Sequence, residues 1–330
     1  MNSKMTTPSS PRVALGMPVY NGQAYLREAL QSVVEQTYTH FELVICDNAS
    51  TDATEAIGRE FAARDRRIRY VRNPINLGAH PNYNRTFELS DGNYFKWVPH
   101  DDVLDPRYLE ACVSALERNP DAVLCQTDLK FIDGDGNFIG VCGTDLTQAQ
   151  APATRKRFAA AVLNAHNCYE VMGLYRRSAL EASMLLKSFH GSDRALIAQL
   201  TLFGRFLHVS EPLLRVRDHK DRYTRARVKP KERATWHDTK LKGKHSFPTW
   251  RLYREYWGMV LKACLRQVDK GSAALALCAW WFVNWNVARM AVDVIAAFAP
   301  DVVGWAERIK QQLFSPAPGI DMVKKSKHHG

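Results

Sequence analysis

Residues 94–106 read Tyr94-Phe95-Lys96-Trp97-Val98-Pro99-His100-Asp101-Asp102-Val103-Leu104-Asp105-Pro106. An apolar, strand-like run ends here in two adjacent carboxylates, Asp101 and Asp102. Neighbouring negative charges are costly unless solvent or a hard cation compensates them, and oxygen ligands suit Mg²⁺ or Mn²⁺. Such ions usually bind together with a phosphate. The alternative interpretation is that Asp102 or Asp105 caps a helix that Pro106 opens.

Short apolar runs alternate with amphipathic stretches on both sides of this segment. We predict strands at residues 13–17, 41–46, 68–71, 94–98 and 122–127, with helices in the intervening stretches. Strands and helices that alternate at this spacing favour an α/β fold, with a mostly parallel central sheet flanked by helices. The segment 133–137 predicts a hairpin turn rather than a calcium loop, because it lacks the spacing and the terminal Glu of such a loop.

Polar residues follow the ends of three predicted strands. Pro18-Val19-Tyr20-Asn21 follow the first strand, Asp47 follows the second, and His100-Asp101-Asp102 follow the fourth. In parallel sheets flanked by helices, ligands bind beyond the carboxyl ends of the strands. We therefore expect these polar residues to converge on a ligand site at one edge of the sheet.

The composition is that of a globular protein, with 46% hydrophobic and 24% charged residues in a chain of 330. No run of 18 apolar residues occurs, and residues 1–11 are polar, so we expect neither a transmembrane helix nor a secretory signal. The seven cysteines are scattered singly. This pattern suits buried thiols in a reducing cytoplasm better than zinc sites or disulfides, and predicts a cytoplasmic protein.

The net charge of +11 is concentrated in one segment, which we call the basic block. It spans residues 215–244 and carries twelve Lys and Arg against four Asp and Glu. Such a block can bind nucleic acid, an anionic lipid surface or another polyanionic ligand, or it can be a solvated linker. RNA-binding signatures are absent, and we predict no nucleic-acid partner.

Four motifs occur in order along the chain. They are Met17-Pro18-Val19-Tyr20-Asn21 with Leu26, Ala29 and Ser32; Cys46-Asp47-Asn48-Ala49-Ser50-Thr51-Asp52; Asn76-Leu77-Gly78 with Asn84 and Asp91-Gly92-Asn93-Tyr94; and His100-Asp101-Asp102. Together they resemble the family 2 glycosyltransferases, which have the Rossmann-like GT-A fold. The resemblance covers about residues 12–220.

The resemblance implies roles for the residues that match the first three motifs. Pro18, Val19, Tyr20 and Asn21 would border the nucleotide, with Tyr20 against the base or ribose. Asp47 would accept a hydrogen bond from the base or ribose, although it could instead be a simple turn or capping carboxylate. Two further residues, Asn76 and Gly78, would shape the loop beside the base, or serve the structure alone.

The resemblance also implies a Mn²⁺ or Mg²⁺ cofactor. The first Asp that is common in the family motif is Pro99 here, so Asp101 and Asp102 must divide ribose contact and metal ligation between them. We favour Asp102 as the direct ligand and Asp101 as the partner of the ribose or of a metal-bound water. His219, in Arg217-Asp218-His219, would approach the diphosphate or the metal, unless it is a surface residue.

Asp193 resembles the acidic residue that serves the family as general base, although Ser192 replaces the Glu that usually precedes it. Inversion at the anomeric carbon needs one base to deprotonate the acceptor hydroxyl, which contributes about 10²–10⁴-fold to the rate. A cation would stabilise the departing nucleoside diphosphate. The alternative is that Asp193 only caps the helix that follows it.

The resemblance implies an inverting, metal-dependent glycosyltransferase, which would transfer a sugar from a nucleotide-diphosphate sugar (UDP-sugar expected) to a hydroxyl of a glycan or lipid-linked acceptor. Such a reaction belongs to polysaccharide or glycoconjugate synthesis. Sugar-nucleotide pyrophosphorylases have a similar sheet, but Val19-Tyr20-Asn21-Gly22-Gln23 lacks their Gly-rich basic loop. A non-catalytic nucleotide-sugar-binding protein remains the other alternative.

We divide the chain into three parts on this basis. Residues 1–11 form a flexible N-terminus, and residues 12–220 form the catalytic domain, with a nucleotide-sugar half at about 12–103 and an acceptor half at about 104–220. Residues 221–330 form a basic linker and a C-terminal helical region. Its apolar helices could pack as core, mediate a homo-oligomer, or lie on the inner face of a membrane with Trp at the interface.

Overall fold

The computed structural model describes residues 12–220, 230–242, 244 and 247–299. Predictions for residues 1–11, for residues 221–229 and 243 of the basic block, and for residues 245–246 and 300–330 of the C-terminal region lie outside the described residues. Within the described chain, nine strands form a single sheet. Their order is β3 (Ile68–Arg72), β2 (Phe41–Asp47), β1 (Val13–Val19), β4 (Tyr94–Trp97), β8 (Leu174–Arg176), β6 (Ala122–Ile132), β9 (Arg205–Arg217) and β5 (Val103–Leu104), and β7 (Phe138–Cys142) pairs with β6. Helices flank the sheet and continue beyond it, as the sequence predicts.

The first half of the sheet is parallel. It consists of β1 (Val13–Val19), β2 (Phe41–Asp47), β3 (Ile68–Arg72) and β4 (Tyr94–Trp97), connected by α1 (Leu26–Val34), α2 (Thr54–Arg64) and α3 (Ala79–Glu88). Every residue of β1 is buried, which explains its continuous apolar sequence. The register pairs Val19 with Asp47 and Gly16 with Trp97, so that the carboxyl ends of the strands lie along one edge.

The second half of the sheet is mixed rather than parallel. It contains β5 (Val103–Leu104), β6 (Ala122–Ile132), β7 (Phe138–Cys142), β8 (Leu174–Arg176) and β9 (Arg205–Arg217). β6 runs parallel to β9 but antiparallel to β7 and β8. The predicted hairpin at residues 133–137 joins β6 to β7, and so short a connection can only join antiparallel strands.

Four helices accompany this half: α4 (Tyr108–Glu117), α5 (Thr154–Leu163), α6 (Arg177–Glu181) and α7 (Ser192–Phe203). Another four follow the sheet: α8 (Pro230–His237), α9 (Pro248–Lys262), α10 (Gln267–Trp280) and α11 (Asn286–Phe298). None of the helices in the described ranges is both long enough and apolar enough to cross a bilayer.

The C-terminal helices share a hydrophobic core with helices that accompany the sheet. Tyr256 of α9 and Leu277 of α10 are fully buried in one cluster with Phe158 of α5 and Ala195 of α7. The core-packing alternative is thus correct for the inward sides of α9 and α10. The domain boundary at residue 220 stays a prediction.

Two buried histidines connect α8 to α3. His80 Nδ1 donates to the carbonyl oxygen of Lys187 at 2.6 Å, and His237 Nδ1 donates to His80 Nε2 at 3.0 Å when both rings are neutral. Burial lowers the pKa of His80 to about 4 and the pKa of His237 to about 2, with the nearby His80 and His190 contributing to the second shift. Both rings are therefore neutral at pH 7.

We expect acid to weaken this connection. The unfolded histidines take up protons below about pH 6.5, whereas the folded pair resists protonation down to about pH 4, so stability falls as the pH drops through this window. The free energy of unfolding should decrease by roughly 2 kcal/mol per histidine between pH 7 and pH 5. Urea unfolding across this range measures the decrease.

The variant His237→Phe removes one titrating group, and its unfolding free energy should depend less steeply on pH than that of the wild type. The exposed His40 supplies the control, since His40→Gln should leave the dependence unchanged. An equal slope for wild type and His237→Phe would contradict the assignment.

Candidate functional site

The loops that follow β1, β2 and β4 are in direct contact. The backbone N–H of Asn21 donates to Ser50 Oγ at 2.9 Å, and Asn21 Oδ1 accepts from the backbone N–H of Thr51 at 2.9 Å. A Cβ atom on Gly22 would lie 2.6 Å from His100 Cδ2, so only glycine permits this approach. The predicted convergence of polar residues on one edge of the sheet is therefore present.

Pro18, Val19 and Tyr20 differ in what they can offer to a ligand. Pro18 and Val19 are buried within β1, so their side chains can support the edge of the sheet but cannot contact a ligand directly. Tyr20 is 45% exposed and presents its ring at the end of the strand. Of these three predicted nucleotide contacts, Tyr20 is the one with an accessible side chain.

Asp47 is completely buried, and its carboxylate is held by three donors. Oδ1 accepts from the backbone N–H of Ser50 at 2.8 Å, and Oδ2 accepts from Tyr70 Oη at 2.5 Å and Arg72 Nη1 at 3.3 Å. Burial and the neighbouring carboxylate raise the pKa of the Tyr70 hydroxyl. Asp47 thus organises the end of β3 as well as its own loop.

Sequence analysis did not identify Tyr70 and Arg72. Both residues lie near the carboxyl end of β3, where the sheet register pairs Arg72 with Asp47 and Tyr70 with Ile45. Tyr70 and Arg72 are two residues apart, and residues i and i+2 of a strand have their side chains on the same face of the sheet. This spacing is the sequence signal that could have indicated that both side chains lie on one face. Arg72 is partly exposed and brings a cation to the same edge.

Asn76 and Gly78 belong to a tightly held loop. Asn76 Oδ1 accepts from Asn48 Nδ2 at 2.9 Å and from the backbone N–H of Gly78 at 2.8 Å. Gly78 has φ 91°, and a Cβ there would lie 2.6 Å from Asp238 Cα. Both observations agree with the structural role that sequence analysis weighed for these residues.

The structure brings Asp101 and His219 together, as the resemblance implies. Asp101 Oδ2 and His219 Nε2 are 3.0 Å apart. Burial alone would raise the pKa of Asp101, but the hydrogen bond with His219 and the charges of His100 and His219 outweigh it and bring the pKa to about 2. The carboxylate is therefore ionised at neutral pH. The ring of His219 also packs on that of Tyr25, with centroids 4.9 Å apart.

Asp102 lies in a different environment from its neighbour. It is 6% exposed, and its Oδ1 accepts from the backbone N–H of Arg217 at 3.0 Å. It thereby connects the turn after β4 to the end of β9. The Asp102 carboxylate therefore holds the backbone at Arg217, whereas the Asp101 carboxylate contacts the side chain of His219.

Arg217 is a buried cation whose importance the sequence did not reveal. Its Nε donates to the carbonyl oxygen of Asp101 at 3.1 Å, its Nη2 contacts Glu28 Oε2 at 2.5 Å, and its guanidinium lies 4.6 Å from the ring centroid of Tyr25. Tyr25 lies directly before α1 and Glu28 lies within it, about 190 residues before Arg217 in the sequence. No sequence pattern therefore linked them to Arg217. Arg217 fixes the backbone that leads to His219.

The residues present can accommodate a divalent cation, although with fewer ligands than predicted. Among the described residues, no group of three or more His, Cys, Asp and Glu side chains is arranged to hold a metal. The Asp101 carboxylate and the His219 imidazole are donor types that Mn²⁺ accepts, and a bound ion would replace the hydrogen bond between them. His219 Nδ1 is buried and has no hydrogen-bond partner within the described ranges. The remaining ligands of such an ion would come from solvent or substrate.

Asp193 lies in the first turn of α7. Gly191, with φ 93°, occupies the N-cap position, so Asp193 does not cap the helix through its side chain. Its Oδ1 accepts from the backbone N–H of Arg194 at 2.8 Å. A helix N-terminus favours a carboxylate in this position. The loop before α7 is tied to α3 by hydrogen bonds to Asn84 and His80.

The predicted site residues therefore fall into two groups. Asp47, Asp101 and His219 lie along the edge formed by the ends of the strands, and Asp193 lies at the start of a helix beyond β8. Helix α3 connects the two groups, since it begins directly after Gly78 and contacts the loop that leads to Asp193. Joint action of both groups on one substrate stays a prediction.

The chain is similar in sequence to a curated protein. EpsH of Bacillus subtilis strain 168, named "Putative glycosyltransferase EpsH", is 26% identical over 217 residues, which are 64% of this chain and 62% of EpsH. The match thus spans less than two thirds of that relative.

Two solved structures have a similar fold. TarS 1-349 of S. aureus in complex with UDP-GlcNAc has a TM-score of 0.61 and 16% identity, with 82% of this chain and 72% of TarS 1-349 covered. The mannosyltransferase PcManGT of Pyrobaculum calidifontis, in complex with GDP-Man and Mn²⁺, has a TM-score of 0.53 and 16% identity, with 94% of this chain and 82% of PcManGT covered. These likenesses confirm the predicted GT-A fold.

The family described as Glycosyl transferase family 2 matches residues 15–183, just over half of the chain. This range contains the three strand-end loops, including the Asp101–Asp102 turn, and the match confirms the predicted family. The chain belongs to glycosyl transferase family 2.

Proposed function

We propose that this chain is an inverting, metal-dependent glycosyltransferase that uses a UDP-sugar as donor and a hydroxyl of a glycan or lipid-linked glycan as acceptor. The observation that carries the proposal is the ionised Asp101 carboxylate 3.0 Å from His219, at the edge where three strand-end loops meet. An acid and an imidazole of this kind suit a divalent ion that carries a diphosphate.

The donor would lie along the edge of the sheet. Tyr20 offers its exposed ring to the base or ribose, and Arg72 offers a cation beside the buried Asp47. Because Asp47 already holds Tyr70 and Arg72, it would act on the nucleotide mainly by orienting these two side chains. The UDP-GlcNAc complex of TarS supports a UDP-sugar, since TarS has the higher of the two TM-scores.

Asp101 and His219 would hold the cation, for which Mn²⁺ or Mg²⁺ are the candidates. When bound, such an ion stabilises the negative charge that develops on the departing nucleoside diphosphate. Arg217 keeps His219 beside Asp101 through its contacts with the Asp101 carbonyl and Glu28. The geometry favours Asp101 over Asp102 as the ligand, because Asp102 supports the backbone at Arg217.

Asp193 would serve as the general base. Its carboxylate takes the proton of the acceptor hydroxyl while the hydroxyl oxygen attacks the anomeric carbon, and the bond from that carbon to the diphosphate oxygen breaks. One displacement of this kind inverts the configuration and requires no nucleophilic side chain. The first turn of α7 keeps the Asp193 carboxylate oriented through the N–H of Arg194.

Three further parts of the proposal concern the setting of the enzyme. We propose that it works in the cytoplasm in polysaccharide or glycoconjugate synthesis and contacts the inner face of a membrane peripherally. The basic block and the C-terminal helices are the candidates for that contact. A homo-oligomer stays an open alternative for the same helices.

Loss of the Asp193 carboxylate should reduce turnover without abolishing donor binding. We expect Asp193→Asn to lower kcat by about 10²–10⁴-fold, because the acceptor hydroxyl loses its base. Release of UDP in the presence of acceptor measures the rate, and isothermal calorimetry measures UDP binding. The control Asp121→Asn removes an exposed carboxylate that pairs with Arg205, and should leave both quantities unchanged.

The product of the wild-type protein tests the inverting mechanism. The anomeric configuration of the product, determined by NMR, should be opposite to that of the donor. Retention of configuration, or full activity of Asp193→Asn, would contradict the proposed role. Binding of UDP without any transfer by the wild type would favour the non-catalytic alternative.

The Asp101–His219 pair should determine the metal requirement. We expect EDTA to abolish UDP release, and Asp101→Asn or His219→Gln to raise the Mn²⁺ concentration for half-maximal activity by at least about tenfold, since the loss of even an outer-shell partner of a metal ligand costs about 10–100-fold in metal affinity. A second Asp–His pair, Asp128 and His208 at 2.7 Å, provides the matched control.

His208→Gln should leave the Mn²⁺ dependence unchanged. Asp102→Asn should lower stability more than it changes the Mn²⁺ dependence, because its Oδ1 holds the backbone of Arg217. If Asp102→Asn instead has the larger effect on Mn²⁺ dependence, Asp102 is the ligand, as the sequence alone suggested.

A further inference from the structure

Helix α11 (Asn286–Phe298) presents an apolar face to solvent. Val287, Val294, Ile295 and Phe298 are 50%, 42%, 48% and 87% exposed. Together with Ala291 they lie at positions i, i+4, i+7, i+8 and i+11, which is a single stripe of a helix. This stripe, the α11 stripe, contains no charged residue.

The opposite side of α11 is fixed by polar contacts and burial. Asp293 Oδ2 accepts from the backbone N–H of Thr249 at 2.7 Å, at the start of α9. The carbonyl oxygen of Met290 accepts from Trp250 Nε1 at 3.0 Å, and the Met290 side chain is 2% exposed. The helix cannot rotate its apolar stripe inward without breaking these hydrogen bonds.

The exposed apolar surface extends beyond α11. Phe282 and Trp285, in the turn between α10 and α11, are 88% and 70% exposed. Exposed apolar patches mark interaction sites, and Trp is enriched where proteins meet the interface of a bilayer.

A groove between α9 and α11 adds positive charge at the edge of the stripe. It has a volume of about 710 Å³ and is lined by apolar side chains that include Trp250 and Val294, and by three cations, Lys244, Arg251 and Arg254. Val294 belongs to both the groove and the α11 stripe. Arg251 Nε is buried and has no hydrogen-bond partner within the described ranges.

We propose that this surface docks on an anionic phospholipid bilayer, with lipid phosphates on Lys244, Arg251 and Arg254 and the α11 stripe among the upper acyl chains. A helix that binds the surface of an anionic membrane buries apolar residues among the acyl chains and pairs neighbouring cations with the lipid phosphates. A nucleic acid would match the cations but not the stripe. In a two-fold dimer that buried the groove, the cations of both copies would approach each other.

The proposal rests on the proposed glycosyltransferase function, and it narrows the acceptor to a lipid-linked one. Arg251 lines the groove and also donates from Nη1 to the carbonyl oxygen of Ser188 at 3.2 Å, and its guanidinium lies 4.9 Å from the ring centroid of Phe189. These two residues belong to the loop that leads to Asp193. A bilayer on the groove would therefore lie next to the element that carries the proposed base.

Flotation of the full-length protein with vesicles tests the docking surface. Vesicles of phosphatidylcholine with one third phosphatidylglycerol should bind the wild type, and vesicles of phosphatidylcholine alone should bind it at least tenfold more weakly. Arg254→Glu should weaken binding to the anionic vesicles by about fivefold or more, since each surface cation contributes a factor of this size. The double variant Val294→Glu with Phe298→Glu should weaken it further.

Matched controls are available elsewhere on the protein. Arg64 has a side chain that is 69% exposed, close to the 74% of Arg254, and Phe138 is a 61% exposed aromatic residue on β7. Arg64→Glu and Phe138→Glu should bind vesicles like the wild type. UDP release with a water-soluble acceptor and without vesicles should be the same in the surface variants and the wild type. That readout separates a failure of docking from a failure of the proposed enzyme activity.

The proposal is overturned if the wild type does not float with anionic vesicles. That result would indicate that another part of the chain covers the α11 stripe. It is also overturned if Arg254→Glu and the double variant bind like the wild type. A double variant that changes the mass in sedimentation equilibrium without changing vesicle binding would assign the stripe to a second copy of the chain.

Discussion

The ligand edge of this protein depends on one buried cation, the guanidinium of Arg217. Removing such a group from water costs several kcal/mol unless it is paired and fully hydrogen-bonded. Its partners come from three separate places: Glu28 on α1, the Asp101 carbonyl after β4, and the carbonyls of Asp133 and Gly134 in the hairpin after β6. Because all must stay assembled to satisfy one charge, the two halves of the sheet are held in a fixed relation.

The parallel half of the sheet could be predicted from the sequence because β1, β2 and β4 are almost entirely buried. β1 and residues 43–46 of β2 are apolar runs, and the ends of both strands carry the polar residues of the motifs. The other half was harder to predict. β5 and β8 have two and three residues, too few for any periodicity, and no strand was predicted at β9 (Arg205–Arg217), whose exposure changes irregularly.

The candidate site was predictable as a location but not as a set of contacts. Asp101 and Asp102 look equivalent in sequence, yet the chain directs one to His219 and the other to the backbone of Arg217. Asp47 was identified, whereas Tyr70 and Arg72, which saturate its carboxylate, were not. Such partners depend on strand register and on where a helix lies over a loop, and neither can be read from a single sequence.

The core shared by α5, α7, α9 and α10 has a consequence for how the enzyme can be divided. Tyr256 is fully buried and Trp280 is 2% exposed, and both lie against helices that precede the basic block. A shortened chain ending before Pro248 would uncover this apolar surface, and uncovered apolar surface promotes aggregation. Such a fragment would appear in the insoluble fraction for reasons unrelated to lipid. Attachment to a cell envelope is thus better examined with intact protein and single surface changes than with deletions.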